Sequence, residues 1–178
     1  MSKREEDYNV VLVDGQDNDL GEMDKMDAHL NGGHLHRALS GFVFNDKGEL
    51  LIQKRASHKY HNPNIWANTV CTHPQKDEPV EQATKRRLKE ELGFTADFKW
   101  IGQFIYKATF PNGLTEWEFD NVCVAKYDGA PIRVNPDQVA EVRWVTRQRL
   151  EKEISQNPEN FSFWLREILK LDLIKDWE

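Results

Sequence analysis

One stretch of the chain, residues 77–94, restricts the fold and the chemistry more than any other. Glu78 is followed, after seven residues, by the run Arg86-Arg87-Leu88-Lys89-Glu90-Glu91-Leu92-Gly93. Proline suits the first turn of a helix, acidic groups favour its N-terminal end, and glycine commonly follows its last turn. The pattern therefore predicts a helix from Pro79 to Leu92 that is rich in carboxylate and guanidinium groups.

This spacing resembles the Nudix box, G-x5-E-x7-R-E-U-x-E-E-x-G-U, a loop–helix–loop that holds divalent metal against a diphosphate. Thr72 stands where the box has its first Gly, which puts the loop geometry there in question, and Arg87 stands where it has the Glu after the Arg. The second departure replaces an anionic metal ligand with a cation. Arg87 and Glu91 lie one helical turn apart, so a diphosphate could receive a metal ion from Glu91 and a guanidinium fork from Arg87. A solvated ion pair is the alternative.

The charge balance limits the classes of ligand. The 178 residues contain 24 Lys and Arg against 30 Asp and Glu, a formal net charge of −6, and 39% apolar residues. A chain of this length and composition is expected to fold as one globular domain. An acidic balance argues against a nucleic-acid or anionic-membrane binder, so an anionic ligand requires a local basic cluster.

The N-terminus and the cysteines indicate the compartment. Residues 1–8 are expected to form a flexible tail ahead of the apolar run from Val10 to Val13, which is too short for a signal segment or a membrane span. Cys71 and Cys123 are too few for a disulfide framework, and Cys123, in an apolar run, is interpreted as core. The sequence predicts a cytoplasmic protein. A monomer is compatible with it, and the oligomeric state stays open.

Hydrophobic patterning and turn signals predict the remaining elements. Turns at Asp46-Lys47-Gly48 and Pro111-Asn112-Gly113 predict two hairpins. The stretch after the first strand, through Met26, is expected to be loop and short helix, and Ala56 to Asn68 an irregular loop. Expected strands run from Asn9 to Asp14, Arg37 to Asn45, Leu50 to Lys54, Trp100 to Phe110, Thr115 to Tyr127 and Val139 to Val145, and further helices from Gln148 to Ile154 and Phe161 to Leu171. Without a regular βαβ rhythm, they predict an α+β or mixed-sheet domain.

Cysteine and histidine are concentrated at two places. Cys71 and His73 lie two residues apart and share a face if their segment is extended; an inert core thiol is the alternative. His29, His34 and His36 are three of six histidines and fall within eight residues. Imidazoles together with carboxylates suit Zn²⁺, Mn²⁺ or similar ions, and solvated loop histidines are the alternative.

A pair of glutamates follows the second turn. Strand periodicity places Glu116 and Glu118 on one face and Trp117 on the other. Repulsion between two such carboxylates is expected to raise the pKa of at least one of them unless a metal or a cation lies between them. The arrangement suits a metal ligand that is also a general acid; an exposed edge strand is the alternative.

Together, these features resemble type I isopentenyl-diphosphate isomerases, Nudix-fold enzymes of isoprenoid biosynthesis that interconvert isopentenyl and dimethylallyl diphosphate. The resemblance runs from about Val10 to Leu171. It rests on five motifs in the family's order: His36-Arg37-Ala38-Leu39-Ser40, Trp66-Ala67-Asn68-Thr69-Val70-Cys71-Thr72-His73-Pro74, Arg86-Arg87 with Glu90-Glu91-Leu92-Gly93, Glu116-Trp117-Glu118, and Phe161-Ser162-Phe163-Trp164. It implies an α+β fold, a Nudix-type mixed β-sheet sandwiched by helices, in a single domain over residues 1–178.

The resemblance also implies a ligand set. A first metal, Mg²⁺, Mn²⁺ or Zn²⁺, would be held by His29, His36, His73, Glu116 and Glu118, with His36 favoured over its rival His34 by the seven-residue step from His29 and by the Arg37-Ala38 that follow. A second ion, Mg²⁺, would bridge Glu91 and the substrate diphosphate. The diphosphate-binding positions match Lys25, Arg55, Lys59 and Arg87, which supply the basic cluster.

The reaction that the resemblance implies is a 1,3-proton shift through a tertiary carbocation. Glu118, assisted by Tyr106 and the metal, would protonate the terminal carbon, and Cys71 as thiolate would remove a proton nearer the diphosphate. Trp164 would face the cation through its π system. Cys71 would need a pKa below the free value of ~8.5 to act as a base near neutrality. A Nudix pyrophosphohydrolase and a catalytically silent diphosphate-binding protein are the rival interpretations.

Overall fold

Nine strands and four α-helices lie within residues 8–59, 61–175 and 177, the part of the chain that the computed structural model describes. The strands are β1 (Asn9–Val13), β2 (Asp19–Asp24), β3 (His36–Phe44), β4 (Leu50–Arg55), β5 (Trp66–Ala67), β6 (Val70–Thr72), β7 (Lys99–Thr109), β8 (Thr115–Lys126) and β9 (Val139–Val145). The helices are α1 (Lys25–His29), α2 (Val80–Leu92), α3 (Arg147–Gln156) and α4 (Phe163–Lys170), with a 3-10 turn at Pro158–Asn160.

Strand β3 lies at the centre of the sheet. It pairs in parallel with β8 along its whole length, from His36 opposite Glu118 to Phe44 opposite Lys126. Its other edge pairs in turn with β1, β6 and β4, and Ser40 lies opposite Cys71 in this second ladder. The three strands β3, β6 and β8 therefore carry residues of three separate sequence motifs side by side.

Helices cover both faces of the sheet. Successive residues of a strand point to opposite faces, and Phe42 and Val43 accordingly belong to two separate cores. Val43 packs in the same core as Leu88 of α2, whereas Phe42 shares its core with Leu150 of α3 and Leu165 of α4. The predicted α+β fold, a mixed sheet sandwiched by helices, is confirmed.

A glycine allows α2 to approach the sheet closely. A Cβ atom built on Gly41 of β3 would lie 2.5 Å from Thr84 Cγ2 of α2 and 2.8 Å from Val70 Cγ2. Any larger residue would push α2 away from the sheet, because protein interiors are close-packed. Gly41 thereby helps to determine where the side chains of α2 reach the site described below.

Locally encoded elements agree with the sequence. Helix α2 follows Pro79 and ends at Gly93, whose φ of 74° is the left-handed conformation that favours glycine. The hairpin of β7 and β8 is also confirmed, with Thr109 opposite Thr115.

Four elements differ from the expectations. Strand β6 was not among the predicted strands and pairs with β3. The predicted first hairpin pairs β3 with β4 only at Phe44 and Leu50, because β8 and β6 occupy the edges of β3. The polar stretch before Met26 contains strand β2, which pairs with β1, and the expected irregular loop from Ala56 to Asn68 contains the two-residue strand β5, which pairs with β4.

Of the predicted tail, residues 1–8, only Tyr8 falls within the described residues. Among those residues, no helix is both long and apolar enough to cross a membrane.

Candidate active site

The predicted site residues converge on one cleft. Its lining includes Lys25, His29, Arg55, Lys59, Cys71, His73, Arg87, Glu91, Glu116, Glu118 and Trp164. Two further predicted residues lie directly behind this lining: His36 is fully buried and Tyr106 is 7% exposed. Every residue expected to act on substrate or metal is thus in the cleft or in its wall.

Four of these residues form a metal-binding donor set. The Nε2 atoms of His73, His36 and His29 lie 3.3, 3.5 and 3.8 Å from Glu118 Oε1. All four donor atoms fall within 4.8 Å of one another. An ion with bonds of about 2.0–2.2 Å to nitrogen and oxygen places its ligands ~3–4 Å apart. The residues present therefore fit a divalent metal ion.

The hydrogen bonds of the imidazoles support this assignment. Nδ1 of His29 lies 2.6 Å from the carbonyl oxygen of Lys25, and Nδ1 of His36 lies 2.7 Å from that of His34. A carbonyl only accepts, so Nδ1 carries a proton in both rings, and Nε2 is the nitrogen that faces Glu118 and would face a metal ion. Nδ1 of His73 lies 2.8 Å from the Tyr8 hydroxyl. Two of the three rings are thus held in the orientation that a metal requires, with Nε2 towards the site.

Burial decides between the alternatives for the histidines. His29, His36 and His73 are at most 9% exposed, so they are not solvated loop residues. His34 is exposed and its side chain is outside the donor set, which supports His36 as the ligand. Burial lowers the pKa of His73 to about 3, so this imidazole is neutral near pH 7.

Glu116 and Glu118 lie on an interior strand. Because β8 is paired on both edges, by β3 and β7, the edge-strand interpretation is wrong. Glu116 is not in the four-donor group; one of its oxygens lies 2.5 Å from His61 Nε2 and the other 3.0 Å from the Tyr106 hydroxyl. The same hydroxyl lies 2.7 Å from Glu118. Tyr106 therefore joins the two carboxylates.

The expected rise in the pKa of a glutamate is not found at Glu118. Burial favours its protonated form, but hydrogen bonds from the three histidines outweigh burial and hold the pKa of Glu118 well below its usual range. The raised pKa belongs instead to Asp120, next on the same face of β8, because of its burial and the charge of Glu118. Ser40 donates a hydrogen bond to this carboxyl group at 2.8 Å.

Cys71 is held by two polar side chains. Its thiol donates to Asn68 Oδ1 at 3.0 Å, and its sulfur accepts from the indole N–H of Trp164 at 3.0 Å. The expectation of a low thiol pKa is wrong for this arrangement: burial, reinforced by the charge of Asp120, raises the pKa of Cys71 far above its usual value. Cys71 is therefore a protonated thiol here. Cys123 is fully buried, as predicted.

The basic end of the cleft contains the α2 pair. Arg87 lies 2.9 Å from Glu91, and the two side chains are 14% and 6% exposed, so the solvated-pair alternative is wrong. Gln53 donates to the other oxygen of Glu91 at 2.7 Å. Arg87 and Lys59 both donate to Gln138 Oε1, which joins α2 to the loop after β4.

Comparisons with known proteins show the family of this chain. A family model described as "NUDIX domain" matches residues 34–167. "Isopentenyl-diphosphate Delta-isomerase 2" of Photorhabdus laumondii is 42% identical over 172 residues, which cover 95% of this chain and 96% of that protein. The chain belongs to the isopentenyl-diphosphate Delta-isomerase family. The isopentenyl-diphosphate Delta-isomerase of Serratia proteamaculans is 40% identical and covers 92% of this chain and 90% of its own length.

Solved structures share the fold of this isomerase family member. A protein of Deinococcus radiodurans has a TM-score of 0.75 at 25% identity, covering 92% of this chain and 98% of its own. The MutT protein from Methanosarcina mazei, with a TM-score of 0.64 at 20% identity, covers 81% of this chain and 96% of its own and is similar in fold alone.

Several side chains of this isomerase family member contact the site but were not predicted. Asn68 belongs to the motif around Cys71, yet nothing in its spacing indicates that it contacts Cys71 and Trp164. His61 and Tyr8 belong to none of the spaced motifs, so no sequence signal marks them. His61 contacts Glu116 and Tyr8 contacts His73 because the folded chain brings residues that are far apart in sequence together.

Proposed function

We propose that this chain interconverts isopentenyl and dimethylallyl diphosphate by a 1,3-proton shift. The observation that carries the proposal is the convergence, in one cleft, of a thiol, a carboxylate and four cationic side chains: Cys71, Glu118, Lys25, Arg55, Lys59 and Arg87. The isomerisation needs two proton-transfer groups and a diphosphate anchor. Membership in the isopentenyl-diphosphate Delta-isomerase family supports the same reaction.

The proposed reaction starts with a proton on Glu118. That proton adds to the terminal carbon of isopentenyl diphosphate as the π electrons form the new C–H bond, which leaves a tertiary cation. Cys71 as thiolate then takes a proton from the carbon next to the one that bears the diphosphate, and the electrons of the broken C–H bond form the new double bond. Tyr106, 2.7 Å from Glu118, orients the carboxyl group.

The hydrogen bonds favour one starting state. The proton lies on Cys71, whose thiol donates to Asn68, whereas Glu118 accepts from its neighbours. This is the state in which the reverse reaction begins: Cys71 protonates dimethylallyl diphosphate and Glu118 receives a methyl proton. Microscopic reversibility makes the same two groups exchange roles in the forward direction.

Trp164 has two proposed roles. Its ring, 5% exposed and lining the cleft, offers π density to the tertiary cation. Its indole N–H, directed at Cys71 sulfur, stabilises the thiolate that acts as base. Water would trap the cation, so the reaction needs a site from which water is excluded. Ala67, Tyr106, Phe104 and Phe163 pack with Trp164 in one hydrophobic cluster, which keeps this side of the cleft apolar.

We also propose identities for the metal ions. His29, His36, His73 and Glu118, with Glu116 as a further predicted ligand, would hold Mn²⁺, Mg²⁺ or Zn²⁺, and Glu91 would hold Mg²⁺ together with the substrate diphosphate. Such ions, when bound, supply positive charge beside the carboxylates and the diphosphate. Cytoplasmic location and a monomeric state stay predictions.

A product assay tests this function. Purified protein is incubated with isopentenyl diphosphate, Mg²⁺ and either Mn²⁺ or Zn²⁺, and the products are separated by mass-resolved chromatography. Dimethylallyl diphosphate is the expected product. Metal-dependent release of phosphate or of nucleoside monophosphate from nucleotide substrates, without isomerisation, would instead support a pyrophosphohydrolase. Diphosphate binding without any turnover would support a silent binding protein.

A further inference from the structure

We infer that His61 is a positioning residue for Glu116 and connects the diphosphate-binding loop to the catalytic carboxylates. This inference rests on the proposed function, because it concerns the same cleft. His61 lies in the loop between β4 and β5, which also carries Lys59 and directly follows Arg55. None of the roles proposed above includes a link between this loop and Glu116.

The ring of His61 is buried against the hairpin of β7 and β8. The residue is 8% exposed, and its ring packs edge-on against Phe110, at the end of β7, with ring centres 4.6 Å apart. Its Nε2 atom lies 2.5 Å from Glu116 Oε1, and the side chain of Asn62 lies 2.9 Å from the same nitrogen. Packing restricts the ring to a position from which it reaches Glu116.

The contact extends from Glu116 to the catalytic acid. The second oxygen of Glu116 lies 3.0 Å from the Tyr106 hydroxyl, which lies 2.7 Å from Glu118. A carboxylate with both oxygens in hydrogen bonds has one preferred orientation, whereas loss of one partner leaves it free to rotate. His61 therefore fixes Glu116, and through Tyr106 it restricts Glu118.

The other end of the connection is a predicted diphosphate ligand. The Arg55 guanidinium donates from Nε to the carbonyl oxygen of Asn62 at 3.0 Å and from Nη2 to that of His61 at 3.1 Å. The side chain expected to bind the anion thus also holds the His61 backbone. An anion that fixes Arg55 would fix His61 and, with it, the Glu116 carboxylate.

His61 lines the cleft itself, so a direct contact with the diphosphate is the rival role. The two roles differ in their kinetic consequences. A residue that binds substrate equally in ground and transition states changes KM, whereas one that orients a catalytic group changes kcat. Residues that orient metal ligands also change metal affinity, typically 10–100-fold.

Three variants separate these roles. His61→Leu removes the hydrogen bond and keeps an apolar contact with Phe110, whereas His61→Gln retains an N–H donor. His58→Leu is the matched control, because His58 lies on the same loop but is exposed and contacts only the backbone of Asp137 in the described structure. Urea denaturation establishes that each variant is folded.

The first readout is Mn²⁺ affinity of the protein, measured by the electron paramagnetic resonance signal of free Mn²⁺. We expect His61→Leu to weaken Mn²⁺ binding about 10–100-fold, His61→Gln to restore most of it, and His58→Leu to leave it unchanged. In a Glu116→Gln background, His61→Leu should add less than about threefold, because it acts through Glu116. An unchanged Mn²⁺ affinity in His61→Leu, or a fully additive loss in the double variant, would overturn the inference.

The second readout is the steady-state kinetics with isopentenyl diphosphate. For a positioning role, His61→Leu lowers kcat at least about tenfold and changes KM less than about threefold. A raised KM with unchanged kcat would assign His61 to substrate binding instead and would overturn the inference. If the unaltered protein does not isomerise the substrate, the proposed function fails, but the Mn²⁺ titration still decides whether His61 acts through Glu116.

Discussion

Replacing Trp164 separates two contributions of one side chain. Trp164→Phe keeps an aromatic ring but removes the indole N–H that lies 3.0 Å from Cys71 Sγ and 2.9 Å from Asn68 Oδ1. A hydrogen bond to a charged group contributes about 1.5–3 kcal/mol. Loss of this hydrogen bond, when Cys71 acts as thiolate, should lower kcat about 10- to 150-fold, because 1.36 kcal/mol corresponds to a factor of ten.

Trp164→Leu removes the ring as well. A desolvated cation–π contact contributes about 2 kcal/mol, so kcat should fall a further ~30-fold below that of Trp164→Phe. Trp100→Phe is the matched control, because the indole N–H of this half-exposed residue also donates to an asparagine, Asn121, at 3.0 Å. Its kcat should equal that of the unaltered protein.

The assay measures kcat for isopentenyl diphosphate with saturating metal, alongside urea denaturation. A kcat of Trp164→Phe within twofold of the unaltered protein would refute stabilisation of the thiolate by the indole N–H. Equal kcat values for Trp164→Phe and Trp164→Leu would refute the role of the ring.

Three further predictions concern metal, stability and pH. Removal of metal by a chelator should abolish turnover and lower the melting temperature. Mn²⁺ added at 100 times its Kd should restore about 2.7 kcal/mol of unfolding free energy. An unchanged melting temperature would contradict the four-donor site. Arg87→Leu leaves the buried Glu91 without its guanidinium partner, so urea denaturation should show a loss of about 3–5 kcal/mol, and a loss below about 1 kcal/mol would show that the pair is solvated. A hydrogen bond from Arg143 lowers the pKa of Glu153 to about 2. The stabilising effect of this half-buried, solvent-screened pair, less than ~1 kcal/mol, should be present above pH ~4.5 and disappear between pH ~4.5 and ~2. Comparing Glu153→Gln with the unaltered protein across this range checks the sign, since a difference that grows towards low pH would contradict it.

Features encoded by neighbouring residues were predictable. Helix α2 was predictable, because Pro79 and Gly93 mark its ends and the carboxylate spacing resembles that of the Nudix box. The hairpin of β7 and β8 was predictable, because Pro111-Asn112-Gly113 is a turn signal between two long strands. Such signals need no information about the rest of the chain.

Features that depend on distant pairing were not predictable. The parallel ladder of β3 and β8 joins residues 82 positions apart, as with His36 and Glu118, and a single sequence does not show such pairings. Strand β2, Asp19–Asp24, has only two large apolar residues, Leu20 and Met23, and pairs with β1 along its length. Local patterns describe propensity, and tertiary context overrides them here.

The chemistry of the candidate site was predictable by residue type but not by protonation state. The metal donors, the thiol and the basic cluster are what the resemblance to the isomerase family implies, and the structure places these residue types in one cleft. The raised pKa of Cys71 follows from burial and from Asp120, which lies 49 positions away in sequence. The contact of His61 with Glu116 likewise depends on how one loop folds against the β7–β8 hairpin.

The most direct test of the proposed isomerisation follows deuterium by proton NMR. Purified protein with Mg²⁺ and Mn²⁺ is incubated with isopentenyl diphosphate in D₂O, next to the Cys71→Ala variant. The account predicts dimethylallyl diphosphate with deuterium in a methyl group, delivered by the solvent-exchanged Glu118, and almost no product from Cys71→Ala despite retained Mn²⁺ binding. Ordinary turnover by Cys71→Ala, or product without deuterium, would contradict proton transfer between Glu118, substrate and Cys71.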